Sequence, residues 1–213
     1  MSIDVGRIIE IFNDIAVVIG SNKEYLTDLD AAIGDGDHGI NLNKGFQNVV
    51  QKLSSSNPKD IGEVLKIVGM TLISTVGGAS GALYGTAFMK AQTKGVGKED
   101  ISLKDFSEML NIAVDGIKMR GKGDLGDKTM LDVLIPVSKS IEESLQENRK
   151  AAEAFRIASE TAFKKMEDTK NISAKKGRAS YLGERSIGHI DPGAASSYLI
   201  IKTIGEYLAK EEN

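Results

Sequence analysis

The sequence predicts an all-α fold. Apolar residues recur at the three-and-four spacing of a helix in segment after segment, and no stretch shows convincing strand alternation. Only 3 prolines stand in 213 residues while there are 23 glycines, so long unbroken helices joined by permissive loops are expected. No proline/serine-rich or charge-run linker divides the chain, and residues 1–213 read as one domain without internal repeats.

The first helix is expected over 5–19, where Val5, Ile8, Ile9, Phe12, Ile15, Ala16 and Ile19 share one face. The same pattern places helices over 39–53 and 58–76, the second opened by Pro58, a residue suited to a first helical turn. Others follow over 81–93, 103–119, 128–145 and 149–168. Ser80, Asp127 and Asp191 stand where N-caps or first-turn acids belong, so helix starts coincide with the unusual loops. The stretch "SSYLIIKTI" is ambiguous between buried helix and strand. It is read as part of a helix over 193–209 because it follows "DPG".

Composition narrows the function. No apolar run approaches membrane-spanning length, cysteine is absent, and "MSIDVGRII" lacks the basic and apolar regions of a signal peptide, so a cytoplasmic location without membrane attachment is expected. A formal charge of -3 gives no basic footprint for nucleic acid, and the cluster Lys175, Lys176, Arg178 and Arg185 is read as serving a local purpose. Function is expected in the loops.

The segment "DLDAAIGDGDHG" holds Asp30, Asp35 and Asp37 within eight residues, and their mutual repulsion calls for a positive occupant. Asp35 and Asp37 flank Gly36, so in extended backbone both side chains point the same way, and Asp30 joins them from a preceding helix end. An EF-hand begun at Asp35 would need Gly at its sixth position and Glu at its twelfth, where Ile40 and Phe46 stand. A carboxylate cluster lacking further ligands suits Mg2+ completed by water and nucleotide phosphates. The helix starting near Gly39 would add amide donors for an anion. A solvated Asp-Gly turn is the competing reading of "DGD" alone, and Asp30 with the helix start favours metal. His38 suits either a phosphate oxygen or a helix cap, and its position favours the phosphate.

Three further loops carry glycine or arginine. "TVGGASGALYG" sets Gly77, Gly78, Ser80 and Gly81 at a break between helical patterns, where small side chains expose amides to an anion or allow close helix packing. "RGKGDLGDKTM" contains a formal G-x-G-x-x-G in Gly121, Gly123 and Gly126, but it follows a helical pattern rather than a strand, and Asp127 stands where a P-loop lysine would be. Neither common nucleotide fold is present. "AKKGRASYLGERSIGHIDPGAASS" brings Arg178 and Arg185 among glycines ahead of Asp191, either as a solvated loop or as a mobile clamp for phosphate.

Together "IGDGDHG", "GGASGALYG", "GDKTMLDVL" and "GRASYLGERSIGHIDPGA" resemble, in order and over essentially the whole chain, the nucleotide-binding L component of the dihydroxyacetone kinase family. The resemblance implies a barrel of eight antiparallel helices with nucleotide and two Mg2+ ions held by the loops at one end. It implies Asp30, Asp35 and Asp37 as metal ligands with a part in catalysis, as has Arg178. It places His38, Gly39, Ile40, Asn41, Ala79, Ser80 and Gly81 near the phosphates. Gly121, Leu125, Thr129 and Met130 would surround the nucleoside, with Arg178, Asp191, Pro192 and Gly193 completing the site.

In one form of this family the domain follows a substrate-binding domain and uses free ATP. In the other it is a separate chain whose ADP/ATP stays bound as a coenzyme, and a chain of 213 residues fits that second form or a separately encoded half of the first. The implied partners are a multiphosphoryl carrier (M) subunit of the phosphotransferase system, which recharges ADP, and a K subunit presenting dihydroxyacetone covalently on its own histidine. Two rival readings share the motifs. One is the nucleotide component of a kinase for another ketose or a fatty acid. The other is a non-enzymatic nucleotide or metal sensor that binds a transcription regulator through the same rim.

Overall fold

The computed structural model describes residues 2–211. It is all-helical apart from one two-residue strand pair. In chain order the elements are β1 (Ile3–Asp4), α1 (Val5–Ser21), α2 (Lys23–Ile33), α3 (His38–Ser54), α4 (Ile61–Thr75), α5 (Gly78–Ala91), β2 (Asp100–Ile101), α6 (Leu103–Gly121), α7 (Leu131–Gln146), α8 (Ala151–Asp168) and α9 (Pro192–Glu211).

The helix starts show how side chains set boundaries. Asp60, not Pro58, opens α4: its carboxylate accepts from Glu63 N at 2.7 Å, while Glu63 Oε2 takes Lys59 N at 2.7 Å. Pro58 therefore lies outside the helix expected from 58. Ser102 and Asp105 form a reciprocal capping box at α6. The helix expected from 128 begins only at Leu131, because the buried Asp132 carboxylate holds Gly126 N at 2.6 Å and Thr129 N at 2.7 Å and curls the preceding loop. Asp191 does cap, accepting from Ala194 N at 2.7 Å ahead of Pro192 in the first turn of α9. Ser80 does not cap: α5 begins earlier, behind Gly77, and Ser80 lies in its first turn. Asp127 accepts from Asp124 N at 2.9 Å inside a loop.

Helix α2 and both short strands escaped the periodicity. Helix α2 follows α1 directly through Asn22, whose Nδ2 donates to Val18 O at 2.8 Å, and it buries only Leu26, Asp30 and Ile33. Strands β1 and β2 pair antiparallel, Ile3 opposite Ile101, each too short to show alternation. The segment "SSYLIIKTI" is helical, inside α9. A proline also lies in the interior of α7, Pro136, so α7 continues at the expense of one ladder bond.

The packing order is a circuit: α1 meets α3, each helix from α3 to α8 meets the next, and α9 returns to α1. Helix α2 lies outside it, against α3 and α9. The interior is apolar, with Phe46, Phe155, Ile15, Ile19, Leu42 and Leu72 fully buried and edge-to-face pairs Phe12–Phe88 and Phe106–Phe155 at 5.5 and 4.8 Å. Among the described residues no helix is long and apolar enough to cross a membrane.

Candidate functional site

The connections α2–α3, α4–α5, α6–α7 and α8–α9 meet at one cleft of about 370 Å³. At one side, Asp30, Asp35 and Asp37 each offer a carboxylate oxygen, and these oxygens lie within 4.8 Å of one another. Asp30 builds the loop that brings them together. Its Oδ2 accepts from Asp37 N at 2.8 Å and His38 N at 3.1 Å, while Gly34 passes so close that a Cβ there would lie 2.2 Å from Asp30 Oδ1. Gly36, at φ 71, supplies the turn between the other two acids. Three carboxylates gathered without a buried cation among them form an all-oxygen donor set that fits a hard divalent ion such as Mg2+. Arg178 faces the same cluster, with Nε 2.9 Å from Asp35 Oδ2.

The first turns of α3 and α5 border this cleft through His38 and through Gly78, Ala79 and Ser80. His38 is buried at the start of α3, and its Nε2 lies 3.0 Å from Ser196 Oγ on α9. Ser196 Oγ in turn lies 2.8 Å from Tyr84 OH, which is 2.9 Å from Ser197 Oγ, so a closed polar network underlies the cleft. Burial pulls the His38 pKa down to about 4, Asp30 opposing, and pushes the Tyr84 pKa up to about 12. Asp191, which also lines the cleft, is pushed up to about 7 by burial with added repulsion from Asp132 and Asp30, against the Ala194 amide and Lys128. Gly193 lies against Met130, a Cβ there falling 3.4 Å from Met130 N.

Of the residues singled out in the sequence, Asp30, Asp35, Asp37, His38, Ala79, Ser80, Gly121, Thr129, Met130, Arg178, Asp191, Pro192 and Gly193 line this cleft. Gly39, Ile40, Asn41, Gly81 and Leu125 do not line it. Ile40 and Leu125 are more than half exposed. Asn41 lies against Gly77, whose Cβ would stand 3.1 Å from Asn41 Nδ2. Gly39 and Gly81 are packing glycines: a Cβ would lie 2.0 Å from Lys23 O and 2.3 Å from Val76 O respectively. Lys176, from the basic cluster noted in the sequence, also lines the cleft, and sequence reasoning passed over Leu83, Ile117, Arg120 and Lys128, which line it too. The apolar pair belongs to helical stripes that read as core. Lys128 is the least visible, because comparison with a P-loop directs attention to Asp127.

Three clustered carboxylates beside two helix starts, faced by an arginine from the segment between α8 and α9, thus make up the site in an all-helical scaffold. The chain belongs to the DAK2 domain family, which matches residues 32–206. It is 46% identical over 187 residues to the ADP-binding subunit of the PEP-dependent dihydroxyacetone kinase of Escherichia coli, covering 88% of this chain and 89% of that one. It is 41% identical to the ADP-binding subunit of the PTS-dependent dihydroxyacetone kinase of Lactococcus lactis, covering 90% and 91%. The fold matches the dihydroxyacetone kinase of C. freundii in complex with AMP-PNP and Mg2+ with a TM-score of 0.73 at 22% identity, covering 97% of this chain. The chain spans 34% of that longer protein.

Proposed function

We propose that the chain is the nucleotide-binding subunit of a dihydroxyacetone kinase of the separate-chain type, with ADP or ATP held in the cleft as a coenzyme. The observation that carries this reading is the convergence of Asp30, Asp35 and Asp37, within 4.8 Å of one another, on a cleft bordered by the starts of α3 and α5. Its relatives at 46% and 41% identity, matched over about nine tenths of both lengths, support it. The helix circuit supports a barrel of eight antiparallel helices made from α1 and α3–α9, the whole chain forming one domain. A cytoplasmic setting belongs to the same reading.

The three aspartates would hold two Mg2+ ions, which when bound neutralise phosphate charge. Phosphoryl transfer otherwise asks for positioning. The amides of Gly39, Ile40 and the Ala79–Gly81 turn, with His38 and Asn41 beside them, would cradle the phosphates. Gly121, Leu125, Thr129, Met130 and Asp191 to Gly193 would enclose the nucleoside, and Arg178 would screen charge developing on the transferred group. The multiphosphoryl carrier subunit would supply the phosphate. The K subunit would present dihydroxyacetone, covalently held, together with the group that orients its hydroxyl.

A second reading has an observation of its own: the chain is also 30% identical to an L-erythrulose 1-kinase of Mycolicibacterium smegmatis, covering 36% of that protein. Acceptor choice would then lie in the partner. The test supplies the chain with ATP, Mg2+ and free dihydroxyacetone, and no sugar phosphate should form. Addition of the K subunit should start transfer. Robust turnover by the chain alone would overturn the division of labour, and transfer to erythrulose alone would favour the second reading.

A further inference from the structure

Lys128 is 1% exposed and sits in the left-handed backbone region, φ 61, in the loop before α7. A residue without a side-chain task is disfavoured there, since L side chains strain at positive φ. Its Nζ donates to three backbone carbonyls: Thr169 O at 2.7 Å, Ser186 O at 2.9 Å and His189 O at 2.6 Å. An ammonium has three protons, so its donor capacity is fully used on these oxygens. Burial lowers its pKa, with Asp191 and Asp132 opposing.

The three carbonyls bracket one segment. Thr169 lies just beyond the end of α8, Ser186 closes the 3₁₀ stretch Arg178–Ser186, and His189 leads into α9. One cation therefore ties together both roots of the segment that carries Arg178. Nearby bonds follow the same seam: Gly188 N donates to Lys170 O at 2.7 Å, and Lys175 N donates to Asp127 O at 3.1 Å. Beyond its roots the segment has a thin apolar anchor, Ala174 and Ala179 against Ile33 with Leu182 partly buried. On its other side Lys128 adjoins Thr129 and Met130, which wall the cleft.

We propose that Lys128 is a positioning residue that fixes both roots of the 170–188 segment against the cleft wall and so sets how firmly Arg178 is held over the acidic cluster and over bound nucleotide. The nucleotide part rests on the function proposed above; the ordering of the segment does not.

The test compares Lys128→Gly, which removes the side chain at a φ that glycine accepts, with Lys128→Met, which keeps the bulk. In both, amides of 172–188 should exchange with solvent about tenfold faster or more, while those in the middles of α4 and α6 keep their rates. Release of ADP in the presence of Mg2+ should quicken on the order of tenfold, the ratio of one lost charge-assisted contact. Propylammonium should slow both processes again in Lys128→Gly, and propanol should not. Wild-type exchange and release in both variants would overturn the proposal. So would exchange raised equally in every helix, or rescue by propanol as effective as by the amine. Absence of ADP binding by the wild-type protein would instead count against the proposed function, and the exchange comparison would still decide the role of Lys128.

Discussion

Arg178 Nε lies 2.9 Å from Asp35 Oδ2, joining the segment between α8 and α9 to the acidic loop ahead of α3. The side chains are 68% and 37% exposed, so the pair contributes at most about 1 kcal/mol and can be exchanged readily. A divalent ion on the cluster would compete for Asp35 and leave the guanidinium free for phosphate, so the Arg178 contact would follow the charge state of the site.

Arg178→Ala should therefore quicken nucleotide release by about tenfold or more while slowing association less, as expected of a contact completed after closure. Arg185→Ala should change release little, because Arg185 does not line the cleft. Stopped-flow displacement of ADP separates the two rates. An unchanged release rate in Arg178→Ala with a raised one in Arg185→Ala would assign the clamp to the wrong arginine.

The low pKa of His38, about 4 against 6.5, makes stability depend on acid. Between pH 6.5 and 4 the unfolded chain takes up a proton that the folded protein refuses, so stability falls as pH falls through that window, by about 3 kcal/mol at most. Urea unfolding at pH 7 and pH 4.5 should show a smaller loss in His38→Gln than in wild type. Equal losses would mean that the ring titrates normally and that its contact with Ser196 does not exclude the proton.

Two of the close-approach glycines, Gly34 and Gly81, should separate site from scaffold. Gly34→Ala would bring a Cβ to 2.2 Å from Asp30 Oδ1, so Mg2+-dependent binding should fail with little change in melting temperature, since Gly34 is in an exposed loop. Gly81→Ala would bring one to 2.3 Å from Val76 O at the α4–α5 crossing and should destabilise the fold by about 1–3 kcal/mol. Calorimetric melting and Mg2+ titration of the same two variants would decide it. The reverse assignment of effects would contradict this reading.

The acidic loop was legible because Asp35-Gly36-Asp37 with Asp30 upstream is a rare local pattern whose chemistry does not depend on distant parts of the chain. The helices from α3 onward were legible from periodicity, their ends less so. Pro58 misled because Asp60 and Glu63 close a stronger cap, and α7 starts late because Asp132 reaches back to two amides. Helix α2 was hidden because it is only 11 residues long and one of its three buried positions is the carboxylate Asp30. Close helix approach demands glycine at Gly39 and Gly81, a requirement that the sequence does not separate from phosphate binding. Lys128 was illegible for a different reason: its three partners are backbone carbonyls 41 to 61 positions away, and no side-chain pattern encodes those.

The Asp30, Asp35 and Asp37 cluster is proposed to hold metal for a nucleotide in this cleft. Isothermal titration of ADP into the wild-type protein and into Asp30→Asn, Asp35→Asn and Asp37→Asn, with Mg2+ and then with EDTA, tests it most directly. Binding should depend on Mg2+ in wild type and weaken about tenfold to a hundredfold in each variant, since each removes one full ligand charge while leaving an oxygen of the same shape. Unaltered ADP binding in all three variants, or wild-type binding indifferent to EDTA, would contradict it.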